Sequence, residues 1–184
     1  MTVAKLDPSR AVLLVVDIQE AFRSAIPNFD SVVSAATTMV RGAEAIGIPI
    51  IVTEQYPKGL GATVSELAEH LPDGVRTVEK TAFSAAAAEG FELAGREQAI
   101  VCGIEAHVCV NQTVLDLLDG GVEVHVLADG VGSRQEANRE LALGKAERAG
   151  AWLTSVETAL FELLGSAGDE RFKRVQRLVL EHAP

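Results

Sequence analysis

The sequence is poor in several things, and each shortage excludes something. No apolar run reaches the roughly 18 residues that a membrane-spanning helix needs. There is no excess of basic residues: 16 Lys and Arg stand against 26 Asp and Glu, a formal net charge of −10. Nucleic acids and anionic membranes attract the opposite balance, so neither is an expected partner. Cysteine is scarce, with only Cys102 and Cys109, and both flank one short segment. No long-range disulfide is available to such a pair, which suits a reducing compartment. The opening stretch MTVAKLDPSR is polar and holds no signal-peptide apolar region, so a cytoplasmic location is the expectation. The first apolar run is followed by DIQEAF, with no GxGxxG and no GKS or GKT, so no phosphate loop is expected there. The four histidines, His70, His107, His125 and His182, are scattered at spacings that suit no tetrahedral metal site. Neither a metal nor a cofactor is expected.

What is present reads as one ordinary globular domain over residues 1–184, with 48% hydrophobic and 23% charged residues. Six short runs read as strands: AVLLVVD (11–17), IPIIVTE (48–54), VRTVEK (75–80), QAIVCGI (98–104), VEVHVLA (122–128) and AWLTS (151–155). The first is apolar at nearly every position, the mark of a strand covered on both faces. Helical patterns fall between and after them, at about 29–46, 63–70, 84–94, 107–119, 134–149, 156–164 and 169–182. Gly47, Gly95, Gly120, Gly121 and Gly150 mark left-handed ends of helices. Alternation of this kind predicts right-handed crossovers and an α/β fold with a mostly parallel sheet between helical layers.

Such sheets gather their functional groups beyond the carboxyl ends of the strands. The residues there are Asp17, Glu54, Lys80, the corner CGIEAHVCV (102–110) and Asp129. Singly, each has a plain explanation. Asp17 suits a helix N-cap, Lys80 a solvated lysine, and Cys109 a small core residue. Together they supply a base, a cation and a nucleophile from three strand ends. A helix N-terminus and an ammonium both lower a thiol's pKa, so a nucleophilic thiolate is the expectation for Cys109. A nearby carboxylate, Asp17, would take the thiol proton and return it to a leaving group.

The order and spacing of VVDIQEAF (15–22), IVTEQYPKGLG (51–61), VEKTAFSA (78–85), CGIEAHVCV (102–110), VHVLADGVGSR (124–134) and RAGAWLTS (148–155) carry a resemblance. The chain resembles the isochorismatase-like cysteine hydrolase superfamily over nearly its whole length. The wording of TEQYPKGLG and CGIEAHVCV is most similar to the isochorismatase domain-containing proteins. The resemblance implies a three-layer α/β/α, Rossmann-like fold with a six-stranded parallel sheet in the order 3-2-1-4-5-6. It implies an Asp–Lys–Cys triad of Asp17, Lys80 and Cys109. It also implies a cis peptide between Ile104 and Glu105, and an oxyanion hole made by the backbone N–H groups of Glu105 and Cys109.

Metal-binding nicotinamidases of this superfamily carry an Asp and two His after the second strand. Here Glu54, Gln55 and Tyr56 occupy that region, and none is a histidine. These three, with Phe22, Phe83 and His107, are the candidate substrate-binding residues. Their plainer roles are core packing for the phenylalanines, a structural turn for EQYP and solvent exposure for His107. The main functional expectation is hydrolysis of a small amide-like C–N bond through the Cys109 thiolate. The alternatives are isochorismate-type vinyl ether hydrolysis, which does not require the cysteine, and a catalytically silent binding or scaffold protein. The expected partners are a small-molecule substrate and further copies of the chain in a homo-oligomer, a dimer or larger. The segment SRQEANRELALGKAERAG and Trp152 are the candidate contact surface.

Overall fold

The computed structural model describes residues 5–182. Strand β1 (Ala11–Val16) lies at the centre of the sheet, and all six of its residues are buried. It alternates between two cores, because successive strand residues face opposite sides. Leu13 and Val15 join the core beneath helices α1 (Phe29–Ile46), α6 (Val156–Leu164) and α7 (Phe172–His182). Val12, Leu14 and Val16 join the core beneath α4 (Asn111–Asp119) and α5 (Glu136–Ala149). An apolar run with no polar alternation is therefore what a strand between two helical layers requires.

The other strands are β2 (Ile50–Gln55), β3 (Arg76–Lys80), β4 (Gln98–Ile104), β5 (Glu123–Gly132) and β6 (Trp152–Thr154). The sheet order is β3-β2-β1-β4-β5-β6, and every pairing is parallel. Strand order reverses between β1 and β4, where crossovers leave to opposite faces, the switch point at which such sheets place their ligands. Two one-turn helices, α2 (Pro57–Leu60) and α3 (Ser65–Ala68), follow β2. No helix of the described residues is long and apolar enough to cross a membrane.

Three local expectations are corrected. Residues 84–94 are not a helix but a chain of turns between β3 and β4. The alanine run favours a helix, but positive φ angles at Gly90 (73°), Ala94 (53°) and Gly95 (72°) break it repeatedly. Tertiary fixing also wins there: the Ala85 N–H donates to Thr113 Oγ1 at 2.8 Å. Strand β5 runs past its apolar stretch to Gly132, so Asp129 lies within it rather than at its end. Its carboxylate accepts the Val156 N–H at 3.1 and 3.2 Å, which makes it a brace for the start of α6. Gly120 has φ −73°, whereas Gly47, Gly95, Gly121 and Gly150 are all left-handed.

Large apolar side chains stay exposed at one flank. Leu141 of α5 and Trp152 and Leu153 of β6 are all solvent-accessible.

Candidate active site

Asp17 is the first residue after β1 and has φ 53°, an uncommon conformation for a residue with a side chain. Its N–H donates to the Thr53 carbonyl at 3.1 Å. Its carboxylate is not a helix cap. Oδ1 accepts from Thr53 Oγ1 at 2.7 Å, and Oδ2 accepts from Lys80 Nζ at 2.6 Å. Lys80 is no solvated lysine either: both side chains of this ion pair are 0% exposed. Parallel pairing explains the meeting. Val16 stands opposite Thr53, and Gln55 stands opposite Lys80, so the ends of β1, β2 and β3 converge.

A buried ion pair holds only if its remaining polar positions are satisfied. Lys80 Nζ also donates to Gln55 Oε1 at 2.7 Å and to the carbonyls of Phe83 at 3.0 Å and Ala82 at 3.3 Å. The turn after β3 thus wraps the ammonium in backbone oxygens.

Cys109 reaches the same place from β4. The Ile104–Glu105 peptide is cis, and residues Ala106–Val110 form one wide helical turn ahead of α4. Cys109 is buried, and its thiol lies close enough to Asp17 and Lys80 to feel both charges. Here the expectation of a lowered thiol pKa is corrected. Burial pushes the Cys109 thiol up to about 12, the Asp17 carboxylate adds to the rise, and the Lys80 ammonium opposes it. The resting thiol therefore keeps its proton at neutral pH. Cys102, wholly buried in β4, is also pushed up to about 12 by burial and by Asp129.

The corner is clamped by the residues just past β5. The Glu105 carboxylate accepts from the Arg134 N–H and Nε at 3.0 Å, and His107 Nδ1 lies 3.1 Å from Ser133 Oγ. Gly103, just before the corner, has φ 133°, and a Cβ there would overlap the Val16 carbonyl of β1. The absence of a side chain lets β4 press against β1 beside the Asp17–Lys80–Cys109 cluster.

The other candidates divide. Gln55 belongs to the cluster through Lys80. Tyr56, with φ 37°, stands half exposed at the start of α2 and borders a cavity of about 420 Å3 with Lys58, Glu79, Thr81 and Ala88. Phe83 is exposed beside the wrapping turn. Glu54 is occupied elsewhere, its carboxylate taking the Thr63 N–H at 2.6 Å and Thr63 Oγ1 at 2.7 Å. Phe22 packs against the core beneath α1. Residues missed by sequence reasoning are Gln19, Thr53, Ser133 and Arg134. Gln19 carried a usable signal, a polar residue two positions beyond Asp17 in a run that must stay buried. Among the described residues no group of three His, Cys, Asp or Glu side chains is arranged to hold a metal ion.

Comparison with known proteins gives the family and the fold. The family model described as the isochorismatase domain matches residues 11–158. The secreted isochorismatase effector Isc1 of Phytophthora sojae is 41% identical over 97% of this chain and 88% of its own length. Isochorismatase domain-containing protein 2 of Homo sapiens is 42% identical over 96% of this chain and 86% of its own. A solved structure described as the MAR1 ribonuclease of Caenorhabditis elegans superposes with a TM-score of 0.92. It has 41% identity and covers 98% of this chain and 95% of that one.

Proposed function

The chain belongs to the isochorismatase family, and on that premise we propose that it is a single-domain hydrolase of a small molecule working from Asp17, Lys80 and Cys109. One observation carries this reading. A carboxylate and an ammonium, both fully buried, sit 2.6 Å apart at the switch point of the sheet with a thiol beside them. A buried ion pair contributes little net stability, and buried charges at such a place mark a candidate functional site.

The comparisons favour an isochorismate-type vinyl ether as the bond cleaved. The matched family model and the Phytophthora relative both carry that activity in their names. The protonated thiol fits, because ether hydrolysis needs no thiolate. A proton held by the Asp17–Lys80 pair adds to the terminal carbon of the vinyl group, leaving an oxocarbenium ion. Water adds to the oxygen-bearing carbon of that ion and returns a proton to the pair. The hemiketal then collapses to a carbonyl compound and an alcohol.

The thiol itself favours a second reading, hydrolysis of an amide-like C–N bond. Cys109 attacks the carbonyl while its proton passes to Asp17. The oxyanion is held by the N–H groups of Glu105 and Cys109. The amine leaves with the proton from Asp17, and water cleaves the thioester. A panel of isochorismate, small amides and ureides, tried on wild type and Cys109→Ala together, separates the two. Activity that survives Cys109→Ala selects the ether route, and activity abolished by it selects the thioester route. Absence of turnover throughout selects a silent member of the family.

RNA is not the substrate proposed here, although one structural relative is described as a ribonuclease. With a net charge of −10 the chain repels a polyanion. A gel-shift titration at low salt that shows tight RNA binding would contradict this. Cytoplasmic location remains part of the proposal, resting on two cysteines that are both free thiols.

A further inference from the structure

We propose, building on the hydrolase reading above, that Gln55 is a positioning residue for Lys80 and that Gln19 holds it in that role. Gln55 closes β2 and stands opposite Lys80 in the parallel register, so the two side chains project to the same side. Its amide has one available orientation. Nε2 donates to the Thr81 carbonyl at 2.9 Å, which turns Oε1 onto Lys80 Nζ at 2.7 Å.

Gln19 fixes the backbone that carries this amide. Its Oε1 accepts the Gln55 N–H at 2.8 Å, and its Nε2 donates to the Gln55 carbonyl at 3.0 Å. The second Nε2 hydrogen goes to the Gly61 carbonyl at 2.6 Å. The whole amide of Gln19 is thus used, in a side chain that is 0% exposed. Gly61 ends α2, the turn that begins beside Tyr56 at the cavity. One pair of amides therefore ties the wall of the cavity to the ammonium.

The chemistry explains why glutamine serves here. An ammonium has three N–H donors. Asp17 takes one, Gln55 a second, and the carbonyls of Phe83 and Ala82 the third. Without Gln55 the ammonium keeps Asp17 and the two carbonyls, and the head would swing to aim its freed donor at them. A carboxylate in its place would compete with Asp17 for the charge. A neutral acceptor holds the head still and leaves Asp17 as its ionic partner.

The test needs a readout that strand stability alone does not move. The Nζ resonance of Lys80 in a 1H–15N lysine-ammonium spectrum is one. The chain has few lysines, and Lys80→Arg assigns the peak by removing it. In Gln55→Met the peak is expected to shift or broaden, and kcat to fall about 10²-fold with KM little changed, as for a group displaced by about 1 Å. In Gln19→Met, which leaves Lys80's own contacts in place, the same changes are expected in smaller measure. An unmoved Lys80 peak and unmoved kcat in folded Gln55→Met, with only a lower Tm, would make Gln55 a strut of β2 and overturn the proposal. If Gln55→Met does not fold, Gln19→Met decides on the same readouts. If wild type turns over nothing in the substrate panel, the hydrolase reading fails while the resonance still decides the role of Gln55.

Discussion

At the scale of single residues, the proposed chemistry rests on three buried groups, Asp17, Lys80 and Cys109. Asp17 is the hub, because Thr53 and Lys80 occupy one oxygen each. Asp17→Asn keeps the shape and removes the proton acceptor, so activity on any accepted substrate should fall about 10²–10⁴-fold. Near-wild-type turnover by that variant would remove Asp17 from the mechanism. Lys80→Met strands a buried carboxylate, and the expected loss in a denaturant titration is about 3–5 kcal/mol.

The thiol gives a pH prediction with a definite sign. Its pKa in the fold is about 12 against an ordinary 9.0, so the folded protein holds this proton where the unfolded chain has lost it. The unfolded state then binds fewer protons, and stability falls as pH rises from 9 towards 12. Below pH 9 this group contributes no slope. Alkylation of Cys109 by iodoacetamide should accordingly climb with pH through 9 without levelling off. A plateau near neutrality would mean that the site ionises the thiol after all.

Elements bring these residues together, and much of that was legible beforehand. Continuous apolar runs announced β1 and β4, and their ends announced Asp17 and the corner before Cys109. Sheet order and the pairing of Asp17 with Lys80 were not readable from local pattern; they came from the family resemblance, since residues 63 positions apart meet only through strand register. The turns over 84–94 were misread because alanine propensity is local, while the contact that fixes Ala85 to Thr113 is not. Thr53 and Arg134 stayed hidden because polar residues give no periodic signal; their value lies in the partners they find. Gly103 shows the same limit. Nothing nearby in sequence marks it as special, yet its missing Cβ lets β4 lie against β1. Gly103→Ala should therefore cost about 3 kcal/mol or more by thermal or denaturant unfolding. A variant as stable as wild type would show that the two strands can part without harm.

For the whole molecule, the exposed flank is the open matter. Leu141, Trp152 and Leu153 remain accessible on α5 and on β6, an edge strand of the sheet. An apolar edge invites a second copy, and we expect at least a dimer by sedimentation at micromolar concentration. A fully active monomer would refute it. Dialysis against a strong chelator is expected to leave activity and Tm unchanged; a stoichiometric transition metal in the purified protein would refute that.

Trp152 is the chain's single tryptophan, and its position turns it into an instrument. Strand β6 lies three strands from β1, roughly 14 Å at ordinary interstrand spacing. Its intrinsic emission therefore watches the edge of the sheet and is nearly blind to Asp17. Diluting the protein should redden that emission if copies separate, while saturating the proposed site with a ligand should leave the colour unchanged. Association and catalysis can thus be followed in one cuvette through independent channels, without attaching a dye.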